Sequence, residues 1–96
     1  MEIFITLPRL IGTRDAAARL LEVQNVGGDL SDLDVQILAR NLSTSTMSFT
    51  DELLKQLCRR NPKSIVVRNP PAEFAQQVKL ALRENGFKNV KVAPAN

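Results

Sequence analysis

The sequence predicts one α/β domain spanning residues 1–96: a four-stranded, largely parallel or mixed sheet with three helices, in the order β-α-β-α-β-α-β. Three observations predict it. Residues 2–7, 33–39, 65–67 and 87–92 are short apolar runs with the alternation or β-branched content of strands. Between them lie three stretches with apolar residues at helical spacing. A chain of 96 residues, 44% of them apolar, has enough apolar side chain for one core and too little length for two. Regular alternation of strand and helix is what right-handed parallel crossovers require.

In chain order, residues 2–7 set Ile3, Ile5 and Leu7 against Glu2 and Thr6, and Pro8 ends the strand. Phe4 on the opposite face predicts that both sides are partly covered. Gly12-Thr13-Arg14-Asp15 opens the first helix, with Thr13 as cap and Asp15 at the positive end of the dipole. Ala16, Ala17, Leu20 and Leu21 form its buried stripe as far as about Gln24. Val26-Gly27-Gly28-Asp29 is a turn; it lacks the lysine and the glycine spacing of a phosphate loop. Residues 33–39 give the second strand, where Leu38 again points to two-sided burial.

Six of the eight residues from Ser43 to Thr50 carry hydroxyls. They run into an amphipathic helix with Phe49, Leu53, Leu54, Leu57 and Cys58 on one side. Ser48, with Asp51 three residues on, has the form of a capping box with a shorter acid. Arg59 and Arg60 complement the far end, and Asn61-Pro62 stops the helix. After the Ile65-Val66-Val67 strand, Asn69-Pro70-Pro71 starts the third helix, striped by Phe74, Val78, Ala81 and Leu82 and closed at Asn85-Gly86. The three helix starts, at Thr13, Ser48 and Asn69, are expected to gather at the carboxyl edge of the sheet, where parallel α/β folds place their sites.

Composition narrows the chemistry. The chain has no histidine and one cysteine, which rules out an internal disulfide, a histidine-activated nucleophile and the usual zinc ligand sets. Cys58 falls among apolar helix positions and reads as a core residue. No cofactor or metal is expected, and the domain reads as non-catalytic. Nothing at the amino terminus has the pattern of a signal peptide and no apolar run approaches about 20 residues, so a cytoplasmic protein without a membrane segment is expected. The net charge of +3 is uneven: residues 51–96 carry nine basic and four acidic side chains. A nucleic-acid-binding accessory protein using Arg59, Arg60, Lys63, Lys88 and Lys91 is the alternative reading. It is disfavoured because those bases are dispersed and neither tyrosine nor tryptophan is present for stacking.

The run from Val35 to Leu57, an apolar strand, a serine-rich turn and then Ser48-Phe49-Thr50-Asp51-Glu52-Leu53, resembles the STAS-like group of bacterial domains. These are relatives of the STAS-domain anti-sigma-factor antagonists. Gly12-Thr13-Arg14, followed by Ala17 and Arg19, is similar to the start of that family's first helix. The resemblance implies a STAS-like fold and a regulatory role through a protein partner, a histidine-kinase-type ATPase or anti-sigma factor. It implies Ser48 as the phosphorylated serine, with Phe49, Asp51, Glu52 and Leu53 as the matching helix start. With the helix starts gathered at one edge, the expected partner-binding surface is Thr13, Arg14, Thr46, Phe49, Thr50, Asp51 and Asn69. Thr46 stands where the antagonists carry an acid, and Leu38-Ala39-Arg40 where an acid usually closes the central strand.

Overall fold

The structure, a computed structural model, describes residues 2–11, 13–24 and 28–93. The chain forms β1 (Glu2–Thr6), β2 (Leu10–Ile11), α1 (Arg14–Val23), β3 (Asp34–Leu38), β4 (Thr44–Ser45), α2 (Met47–Arg59), β5 (Ser64–Arg68), α3 (Ala72–Asn85) and β6 (Val90–Ala93). The main sheet is four-stranded in the order β1-β3-β5-β6, and every adjacent pair is parallel. Each connection therefore steps to the next neighbour in the same direction. With right-handed crossovers, that order puts every helix on one face. Accordingly α1 packs on α2 and α2 on α3.

The strand alternation decides what lies between the layers. In register, Ile3, Val35, Ile65 and Val90 form one inward row, and Ile5, Ile37, Val67 and Val92 the next. They meet Ala17 and Leu21 of α1, Phe49, Leu53, Leu54 and Leu57 of α2, and Phe74, Val78 and Ala81 of α3. Each fully buried large side chain in this layer contributes about 1.5–3 kcal/mol.

The two-sided burial expected from Phe4 and Leu38 is not what forms. Phe4 is 55% exposed, and no residue of the outward rows Phe4–Gln36–Val66–Lys91 and Thr6–Leu38–Arg68–Ala93 is fully buried. The unidirectional strand order leaves no helix to cover this face. Polar side chains tie it together instead. The Gln36 amide donates to the Glu2 carboxylate and accepts from Arg68 Nε at 2.7 Å. Ser64 Oγ donates to Asp34 Oδ1 at 2.6 Å.

The start of α1 and the end of α3 follow the expected chemistry, with one addition. Thr13 Oγ1 accepts from Ala16 N at 3.2 Å and caps α1. Gly86 closes α3 in the left-handed conformation, at φ 66°, as glycine does at low cost. Beyond α1, the Gln24 amide accepts from Thr6 N at 3.0 Å and donates to Thr6 O at 2.9 Å. It thereby pairs part of the free edge of β1, an edge that would otherwise invite strand addition. Of the turn expected at residues 26–29, Val26 and Gly27 lie outside the described residues; Gly28 has φ 72°, and the Asp29 carboxylate accepts from Ser31 N at 3.1 Å.

Residues 8–11 and 43–45, expected as connections, pair as a second parallel ladder, Leu10 with Thr44 and Ile11 with Ser45. Arg9 O accepts from both Ser43 N, at 2.8 Å, and Thr44 N, at 3.1 Å. Two-residue strands carry no periodicity, which is why the sequence does not announce them. Among the described residues no helix is long and apolar enough to cross a membrane.

Candidate functional site

The hydroxyl-rich run is divided by burial. Ser43, Thr44 and Ser48 are exposed, Thr46 is half-buried, and Ser45 and Thr50 are buried. The cap of α2 is Thr46: it has extended backbone, φ −106° and ψ 157°, and its Oγ1 accepts from Phe49 N at 3.3 Å. Ser48 was expected to be that cap and is instead the second residue of the helix. The reason is local. The capping hydroxyl must sit on the last extended residue, and the β4 ladder holds the chain extended through Ser45, so Thr46 is that residue. Thr46→Ala is therefore expected to cost about 1 kcal/mol in urea denaturation. Ser48→Ala is expected to stay within about 0.5 kcal/mol of the parent. The reverse order would assign the cap to Ser48.

Two residues of the expected partner surface are in the core. Phe49 and Thr50 are both 0% exposed. Phe49 belongs to the apolar stripe of α2, and Thr50 points toward α3, where its hydroxyl lies 2.8 Å from Gln77 Oε1 and 3.1 Å from Thr46 O. Gln77 Oε1 also accepts from Ser45 Oγ at 2.8 Å, and Gln77 Nε2 donates to Ser45 O at 3.0 Å. Thr50 and Phe49 thus hold the start of α2 in place and offer nothing to a docking protein. Sequence reasoning missed Gln77; a single glutamine on an otherwise ordinary helix gives no signal of its partners 27 and 32 residues away.

What remains exposed around Ser48 is a depression of about 420 Å³ between α2 and the last turn of α3, lined by Met47, Ser48, Asp51, Lys55, Glu84 and Asn85. Asp51 is central to it. Its carboxylate meets Lys55 Nζ at 2.9 Å and accepts from Asn85 Nδ2 at 2.7 Å. The depression thus combines two acids, one base and a hydroxyl at the positive end of a helix dipole.

The expected gathering of three helix starts is incomplete: α1 and α2 begin just beyond the paired strands β2 and β4, but the start of α3 does not join the depression around Ser48. Asn69, exposed and left-handed at φ 52°, lines a different crevice at the carboxyl ends of β1, β3 and β5. Thr13 is occupied as the α1 cap. The side chain of Arg14, expected as a phosphate partner, lies outside the described residues. Ser48 instead shares its depression with Glu84 and Asn85, at the end of α3 that leads back to β6. Helix position relative to the sheet depends on loop length, and eight residues separate the end of β3 from α2.

Cys58 is half-buried, and burial pushes its thiol pKa up. It lines a depression with Asn61, Pro62, Lys88 and Asn89. A thiol held protonated is a poor nucleophile. The bases at this end are in part engaged: Arg60 Nη1 donates to Gln56 O at 2.7 Å, closing α2. No protein-family model, curated protein or solved structure matches the chain.

Proposed function

We propose that this domain is a non-catalytic regulatory module that binds a protein partner through the α2–α3 flank around Ser48 and is switched by phosphorylation there. The partner class is a histidine-kinase-type ATPase or anti-sigma factor, as the STAS-like resemblance of Val35 to Leu57 implies. One observation carries the reading: Ser48 is exposed in the first turn of a 13-residue helix whose cap is supplied by Thr46. Modification there leaves the cap intact.

The electrostatics support a switch that acts on docking and not on folding. A phosphoryl group adds about −1.5 to −2 charges. The helix dipole favours that charge at the amino end of α2. Asp51 and Glu84, in the same depression, oppose it. Because Asp51 already occupies Lys55, the added charge stays presented to solvent and to a partner.

Ser48→Asp is accordingly expected to hold stability within about 0.5 kcal/mol of the parent, while capture of the partner from the native host is lost; Ser48→Ala retains the partner. Intact mass and peptide mapping of protein from that host should place one phosphoryl group on Ser48. Unmodified protein, together with equal capture by both variants, would overturn the proposal.

A further inference from the structure

We propose a second site, independent of Ser48: a binding crevice for a small phosphate-bearing molecule at the carboxyl ends of β1, β3 and β5. It is lined by Thr6, Leu38, Arg40, Asn41, Arg68 and Asn69, and its volume is about 290 Å³. That is close to the lower limit for small-molecule pockets, about 300 Å³.

The sheet register builds the floor. Thr6, Leu38 and Arg68 are partners across three adjacent strands and share the uncovered face. The chain leaving β3 supplies Arg40 and Asn41, and the chain leaving β5 supplies Asn69. No carboxylate lines the crevice, and among the described residues neither arginine has an acid within ion-pair distance. The adjoining groove, which shares Thr6 and Asn41, adds Arg9 and again no acid.

One arginine is held in position. Arg68 Nε donates to Gln36 Oε1 at 2.7 Å, and the Gln36 amide donates in turn to Glu2. That relay uses one guanidinium N–H and leaves the terminal pair for a bidentate acceptor. Arginine forks match the oxygens of phosphate in this way. Two guanidinium charges balance a phosphate dianion better than a single carboxylate. The amides of Asn41 and Asn69 and the Thr6 hydroxyl supply neutral donors, while Leu38 gives an organic ester an apolar surface.

The test is an amide-resolved NMR titration of the intact domain with inorganic phosphate and, separately, glycerol phosphate, each against sodium chloride at matched ionic strength. The expected result is a saturable response centred on Thr6, Arg40, Asn41, Arg68 and Asn69. Equal affinity for the two ligands identifies free phosphate as sufficient; tighter ester binding identifies an organic phosphate. Arg40→Gln and Arg68→Gln are exposed substitutions and should each weaken binding about ten-fold. Gln36→Met, which removes the contacts to both Arg68 and Glu2 and leaves the guanidinium charge in place, should weaken it by about two- to ten-fold. The proposal is overturned by a response equal to that in chloride, by one centred on Met47 to Phe49, or by unchanged affinity in the Arg40→Gln/Arg68→Gln double variant. A response at these residues to an RNA oligomer but to neither small phosphate also overturns it.

Discussion

Phe49→Ala is expected to destabilise the domain by about 3–5 kcal/mol, the usual cost of deleting a buried aromatic ring. Phe49 is 0% exposed and lies in the layer between α2 and the sheet, in the same core as Leu53, Leu57, Ile37 and Val67. Folded domains of this size have only about 5–15 kcal/mol in total. In thermal unfolding the midpoint should therefore fall by more than about 12 °C. The measurement also separates two roles for the residue. A partner-contacting phenylalanine would lose binding with the melt unchanged, and a shift of only a few degrees would place Phe49 outside the core.

The second large effect is expected at Gln77. Its side-chain oxygen accepts from both Ser45 and Thr50, and its nitrogen donates to the Ser45 carbonyl. Thr50 is fully buried and Ser45 nearly so. Gln77→Leu keeps the volume but strands these groups. Each unsatisfied buried polar group costs about 1–3 kcal/mol. Thr50 retains Thr46 O as a fallback acceptor at 3.1 Å, which limits the loss. A net cost of about 2–3 kcal/mol in urea denaturation is expected. Adding Ser45→Ala and Thr50→Val to Gln77→Leu should recover part of it, since removing both partners of a buried hydrogen bond is nearly neutral. If Gln77→Leu alone is silent, the network is not holding α3 against the start of α2.

These residues show where sequence reading reaches its limit. Phe49 is legible from the sequence as part of the apolar stripe of α2, and that reading agrees with its burial. The assignment of Phe49 to a partner surface conflicts with the stripe, and burial decides for the stripe; Thr50, assigned to the same surface, is buried through its polar contacts with Gln77 and Thr46. Thr46 and Ser48 are chemically equivalent as caps in the sequence. Only the pairing of Thr44 and Ser45 with Leu10 and Ile11 places the last extended residue at Thr46.

Local patterns by themselves determined the three helices, the four main strands and their alternation along the chain, but left the direction of the edge strands open, because period and punctuation are properties of neighbouring residues. The left-handed closure at Gly86 and the cap at Thr13 belong to the same category. Tertiary structure alone decided that the strands add in one direction, so that the helices share a face and Phe4, Gln36 and Arg68 lie on the other. It also decided that Ser48 faces the end of α3 while Asn69 joins Arg40 and Arg68. Those are outcomes of strand order and loop closure across 30 or so residues, which no window of adjacent side chains encodes.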